Sequence, residues 1–112
     1  MLKIEFEYKK GILFVRLIGE LNKSTKAKLE LVDDMIKKAG IKYLLINLEK
    51  TIIINDMELN NMIRKYKNLI GNDGRLLICG YYNRLNIKLK KDELDEIWLA
   101  NKEVNAFKII NI

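Results

Sequence analysis

Residues 43–58 read YLLINLEKTIIINDME, and the change of pattern inside this stretch decides the fold. Tyr43 to Leu48 is almost continuously apolar, as expected of a strand buried on both faces in a parallel sheet flanked by helices. Thr51 to Ile54 carry that character past Glu49 and Lys50. At Asn55 the period changes. Asn55-Asp56-Met57-Glu58 opens a helix through an Asn-x-x-Glu form of the capping box, Asn55 accepting from the amide of Glu58 and Glu58 reaching back. Leu59, Met62, Ile63, Tyr66 and Ile70 then recur at i, i+3, i+4, i+7 and i+11, one apolar helix face.

Working outward, KIEFEY at 3–8 alternates apolar and charged residues, and ILFVRLI at 12–18 is rich in β-branched and aromatic side chains. With Lys9, Lys10 and Gly11 between them, the two runs read as a hairpin. Gly19 to Lys23 breaks the strand pattern. Leu29, Val32, Met35, Ile36 and Ala39 mark a helix over 25–39, with Ser24 or Thr25 as its cap and Gly40 as its end. Past the central helix, Gly71 to Gly74 is a loop and RLLIC at 75–79 a buried strand. Residues 82–90 form a short helix with Leu85 and Leu89 inward, EIWL at 96–99 a last strand, and Asn101 caps a final helix carrying Val104, Phe107 and Ile110. The order is β-β-α-β-α-β-α-β-α, whose crossovers are right-handed. An α/β fold is expected: a mixed sheet of four or five strands with about four helices packed on it.

The chain has 112 residues, so a single domain over 1–112 is expected. With 49% apolar and 32% charged residues, disorder is excluded. No apolar run is long enough to span a membrane, and the charged N-terminus MLKIEFEYKKG is no signal peptide; a cytoplasmic protein is expected. The absence of His removes the commonest general base and metal ligand. Ser24, Thr25 and Thr51 are the only hydroxyls besides the tyrosines, so neither a Ser-His-Asp triad nor a Cys-His pair exists. Cys79 is alone, which excludes an internal disulfide and a cysteine zinc site. The six glycines are scattered and form no phosphate loop. No cofactor and no metal are expected. The net charge of +6 raises nucleic-acid binding, yet the 17 lysines are interleaved with acids, and phosphate-driven binding needs them gathered on one face.

Three stretches carry a family resemblance. Val15-Arg16-Leu17-Ile18-Gly19-Glu20-Leu21-Asn22 resembles the second strand and following loop of the STAS domain, which usually end Gly-Glu-Leu-Asp. Leu45-Ile46-Asn47-Leu48 resembles its central strand, with Asp or Asn in third place. Thr51 to Ile70 resembles its switch loop and second helix. More narrowly, the chain resembles the small anti-sigma factor antagonists of bacteria. The resemblance implies a STAS-like fold and a protein-binding regulatory role without enzymatic activity. The partner would be an anti-sigma factor of the serine kinase type, and binding would release a sigma factor. The family's switch motif, Phe-Met-Asp-Ser-Ser-Gly-Leu, falls on Ile53-Ile54-Asn55-Asp56-Met57-Glu58-Leu59. The phosphorylated serine therefore falls on Met57, which accepts no phosphoryl group, and only Leu59 is kept.

The residues expected at the partner surface are Asn22, Ser24, Asn55, Asp56, Met57, Glu58, Asn60 and Asn61. The last two are expected on the exposed polar side of the second helix. Each has a plainer reading: Asp56 and Glu58 as helix-capping acids, Met57, Met62 and Ile63 as packing, Asn22 as a turn cap, Cys79 as an inert small hydrophobe. Tyr81-Tyr82 suit an interface, and with Lys88, Lys90 and Lys91 they raise contact with RNA. Two versions of the acidic loop follow. It mimics the phosphorylated state permanently, or it binds a differently charged partner without phosphorylation. Alternatives are a divergent STAS scaffold in another signalling complex, a small carboxylate-based enzyme or ligand-binding domain, and a nucleic-acid binder. Oligomeric state is not legible.

Overall fold

A computed structural model describes residues 1–53, 56–80, 97–100 and 102–110, with the side chains of 26, 53, 56 and 97–100 left aside. Strands β1 (Leu2–Lys9) and β2 (Ile12–Leu21) form the expected antiparallel hairpin. A 3-10 turn, Lys26–Leu29, leads into α1 (Glu30–Ala39), which ends at Gly40 as expected. Then come β3 (Tyr43–Asn47), β4 (Thr51–Ile53), α2 (Asp56–Ile70), β5 (Arg75–Cys79), β6 (Ile97–Ala100) and α3 (Asn105–Ile110). The sheet order is β1-β2-β3-β5-β6, and β4 pairs with β2. From β2 onward all pairings are parallel, so this is the mixed α/β sheet expected.

Each face of the sheet follows from strand alternation. Leu13, Val15 and Leu17 of β2, Leu44 and Ile46 of β3, and Leu76 and Ile78 of β5 meet α1 through Val32 and Ile36. The same side chains meet α2 through Leu59, Met62, Ile63, Tyr66 and Ile70. All five members of the expected α2 face are buried. On the opposite face Ile12, Phe14, Leu45, Leu77 and Cys79 pack against Ala106 of α3. Phe14 and Phe107 lie 5.7 Å apart at 57°, a tilted aromatic pair. Cys79 is buried there, and burial pushes its thiol up to about 11, so it is inert at neutral pH.

The main departure from expectation lies at the far end of β2. The strand does not break at Gly19 but runs to Leu21. Its first half pairs with β3, Ile12 opposite Tyr43 to Arg16 opposite Asn47. Its last three residues pair with β4, Gly19 opposite Thr51 and Leu21 opposite Ile53. Between β3 and β4 the chain makes a tight turn. The Leu48 amide donates to the Cys79 carbonyl at 2.9 Å, and the Thr51 amide to the Leu48 carbonyl at 3.1 Å. The Thr51 hydroxyl donates to the Leu17 carbonyl at 2.6 Å, which stitches the detour to β2.

The first helix also begins differently. Thr25 makes no side-chain cap bond, so the expected Ser24 or Thr25 cap is replaced by a turn built on Asn22. The last helix starts at Asn105. The expected 82–90 helix with Leu85 and Leu89, the Asn101 cap, and the Tyr81, Tyr82, Lys88, Lys90 and Lys91 group lie outside the described residues, and so does Asn55. No helix among the described residues is long and apolar enough to cross a membrane.

Candidate protein-binding surface

Two chain segments leave the sheet side by side because Leu21 is paired with Ile53. One is the loop after β2; the other runs into α2. Neighbouring strands sit about 4.8 Å apart, so the register alone brings Asn22 and the start of α2 to the same edge.

The loop is held by its own side chains. The Asn22 Oδ1 accepts from the Ser24 amide at 2.9 Å, the Ser24 hydroxyl at 2.6 Å and the Thr25 amide at 3.1 Å. The Thr25 hydroxyl donates to the Glu20 carbonyl at 2.8 Å. Asn22 is therefore the turn cap of its plainer reading, an Asx-turn that carries the chain off the strand. Ser24 is exposed.

On α2, successive residues are rotated by roughly 100°. Met57 and Asn61 lie opposite the core stripe centred on Leu59 and Ile63; Met57 is 65% exposed and Asn61 is exposed. Glu58 and Asn60 lie on its two flanks, and both are buried, at 8% and 6%. This corrects two expectations. Asn60 does not stand on an exposed polar face, because neighbouring elements cover the flank that the helix period alone leaves open. Met57, 65% exposed, is not core packing. Ile52 of β4, 59% exposed, adds a second apolar side chain just before this elbow.

Beside the elbow a groove of about 340 Å3 runs between Lys23, Ala27, Leu29 and Glu30 on one side and Glu58, Asn61, Met62, Lys65 and Tyr66 on the other. Asp33 of α1, only 5% exposed, pairs through Oδ2 with Lys65, while its Oδ1 has no hydrogen-bond partner. A buried acceptor left unserved costs about 1–3 kcal/mol. The Tyr66 hydroxyl donates to the Leu29 carbonyl at 3.3 Å. Burial first, and the Asp33 charge second, push that hydroxyl far above its ordinary value.

A second polar cluster, not anticipated from the sequence, sits on the α3 face. Arg16 grips Glu103 through two bonds, Nε to Oε2 at 2.8 Å and Nη2 to Oε1 at 2.7 Å, and reaches Glu7 at 2.8 Å. The Asn47 amide donates to Glu103 Oε2 at 2.7 Å, and Asn47 Oδ1 accepts from the Glu49 amide at 2.9 Å. The partners are separated by 87 residues; the only visible signal was a lone Arg16 inside the apolar run ILFVRLI. The cluster lines a cleft of about 510 Å3 in which Glu5, Glu49, Lys50 and Lys102 mix the charges. It latches the start of α3 to the sheet.

The Arg16 guanidinium first, with the Asn47 amide adding and burial opposing, holds the Glu103 carboxyl below the usual carboxylate range. A lowered folded value means that the stability it adds is fully present above the unfolded value of about 4.3. That stability drains away as pH falls through the folded value. Glu103→Gln should cost about 1–2 kcal/mol near neutral pH and flatten the acid limb of the stability profile. Urea unfolding across the acid range checks it; an unchanged acid limb would show that the latch contributes nothing.

Among the described residues no three His, Cys, Asp or Glu side chains gather to hold a metal ion. No family model matches the chain. A curated relative, an anti-sigma F factor antagonist of Paenibacillus polymyxa, is 26% identical over 107 residues, covering 94% of this chain and 92% of that one. An anti-sigma factor antagonist from Mycobacterium paratuberculosis superposes with a TM-score of 0.75 at 15% identity, over 100% of this chain and 96% of that one. The anti-sigma factor antagonist SpoIIAA in its unphosphorylated form gives 0.69 at 14% identity, over 99% and 98%. The Bacillus SpoIIAA in its phosphorylated form gives 0.63 at 13%, over 98% and 99%. The chain therefore has the STAS-like fold of these anti-sigma factor antagonists and is similar in sequence to one of them over nearly its full length.

Proposed function

We propose that this chain is a protein-binding regulatory module that docks its β4–α2 elbow on an anti-sigma factor of the serine kinase type and so frees a sigma factor. The observation that carries the reading is Met57, 65% exposed on the first turn of α2, with Ile52 of β4, five residues earlier, 59% exposed as well. An apolar pair standing out of a charged surface at one edge suits a protein contact. Asn22, Ser24 and the exposed Asn61 join that contact, Asn55 and Asp56 belong to it as the residues that precede Met57 in the sequence, and the buried Glu58 and Asn60 support it from the flanks of the helix.

Of the two versions of the elbow, binding without phosphorylation fits better. Met57 cannot be phosphorylated, and Glu58 is buried, so its charge does not stand where a phosphate would project. The reading is tested by calorimetry against an anti-sigma factor encoded in the same genome. Met57→Glu should weaken binding at least about tenfold, roughly 1.4 kcal/mol, with no change in the unfolding midpoint. Equal binding by the variant would overturn the elbow as the contact. Incubation with the partner and ATP should leave residues 51–61 free of phosphate, and a phosphate there would overturn binding without phosphorylation.

A further inference from the structure

We propose that the outer edge of β1 is a dimer contact, which takes the same edge of a second copy of this chain in antiparallel register. β1 ends the sheet: it pairs with β2 on one side, and no described strand pairs with the other. The hairpin fixes which backbone groups face outward. Lys10 and Gly11 both have positive φ, +52 and +82. Such a two-residue turn closes on a hydrogen-bonded pair, here Lys9 opposite Ile12. Bonded and non-bonded pairs alternate along an antiparallel ladder. The backbone groups of Lys3, Glu5, Glu7 and Lys9 therefore face β2, and those of Leu2, Ile4, Phe6 and Tyr8 turn outward. Two bonds fix the same phase. The Glu20 amide donates to the Met1 carbonyl, whereas the Leu2 carbonyl looks away from β2 and accepts from Lys28 Nζ at 2.8 Å. The strand pairs regularly over eight residues without a bulge or a proline, so its backbone does not blunt the edge.

Bonds and charge select the register. Outward residues must oppose outward residues for the two edges to exchange hydrogen bonds. Lys28 holds the Leu2 carbonyl, which removes the registers that include Leu2. Phe6 opposite Phe6 would set Glu5 against Glu7 and Lys3 against Lys9, like charges that repel. Phe6 opposite Tyr8 instead sets an aromatic pair on one face and Glu5 against Lys9 on the other, each repeated by the two-fold symmetry. Glu7 then meets Glu7 on the axis, and each is already paired with its own Arg16 at 2.8 Å. Tyr8, 63% exposed, gains a partner. The contact occupies the Lys9 end of β1. The elbow lies off the other end, where Gly19 stands between Leu2 and Thr51. Both elbows of the dimer stay open, and the contact does not depend on what they bind.

The test is sedimentation equilibrium of the full chain from roughly 10 µM to 1 mM, as suits a small, weak contact. The mass should rise from 13.2 kDa toward twice that value. Lys9→Glu should weaken the dimer about three- to tenfold, and adding Glu5→Lys to it should restore the parent constant. Glu7→Cys should form an intermolecular disulfide under mild oxidation, because opposed residues of a non-bonded pair stand about 4.5 Å apart. Glu5→Cys should not, since it faces Lys9. All three positions are exposed, and the native Cys79 is buried. A chain that stays monomeric throughout, an unchanged constant for Lys9→Glu, or cross-linking of Glu5→Cys in place of Glu7→Cys would each overturn the contact. A monomer whose amides at 4–8 shift only when an anti-sigma factor is added would give the edge to that partner and overturn the second copy.

Discussion

Gly80→Ala is expected to cost about 3–5 kcal/mol, near the top of the range for a single substitution. Two penalties add. Gly80 has φ +75, a conformation that strains any residue with a Cβ. That Cβ would also stand 2.5 Å from the Glu49 amide nitrogen and 2.7 Å from its Cα. Backbone in the middle of a chain retreats only if its own bonds let go, and here they do not. The Glu49 amide is tied to Asn47, and the fully buried Leu48 before it donates to the Cys79 carbonyl. Gly19 makes the control. Its φ is +113, and its added Cβ would strike the Met1 carbonyl. Met1 is 91% exposed, and its carbonyl accepts only a long bond of 3.4 Å from the Glu20 amide. That carbonyl yields more readily than the Glu49 backbone, so Gly19→Ala should cost about 1–3 kcal/mol. Urea unfolding of both variants checks the order. If Gly80→Ala costs no more than Gly19→Ala, the β3–β4 turn is softer than its hydrogen bonds suggest.

That turn is also where the sequence stops being legible. The apolar face of α2 is read directly from its period because burial of Leu59, Met62, Ile63, Tyr66 and Ile70 needs only a sheet beneath the helix. The strand character of Thr51 to Ile53 is equally plain. Its partner is not, since β4 takes the far end of β2 instead of prolonging β3, a choice made by the Leu48 turn and by Gly80 making room for Glu49 beside it. In the same way the helix period correctly turns Asn61 outward but cannot say what covers the flanks, so the burial of Glu58 and Asn60 is a tertiary fact. The Arg16–Glu103 latch joins opposite ends of the chain, beyond any local pattern. The resemblance to the switch motif located the elbow. The turn-capping duty of Asn22 was legible in the sequence and is borne out, whereas how far Met57 stands out of the fold depends on tertiary packing that no local pattern gives.

Leu59→Ala is the second large effect, expected to cost about 3 kcal/mol, within the 2–5 usual for a buried leucine. Leu59 is the one residue of the resembled switch motif that this chain keeps, and it has no exposed surface. It lies in the first part of α2, in the same core cluster as Leu17, Leu21 and Ile46, so it pins the helix start onto the sheet two residues after Met57. The variant should therefore lose partner binding as well as stability, because a loosened first turn no longer holds Met57 at a fixed angle to Ile52. Met57→Glu should lose binding alone. The pair separates the two contributions of one helical turn, the anchor beneath and the contact above. Leu59→Met changes shape more than volume and should recover most of both properties, with a residual cost of about 1.5 kcal/mol or less. If Leu59→Ala instead unfolds earlier yet binds the anti-sigma factor as tightly as the parent at low temperature, the elbow is shaped by the partner and not by the core beneath it.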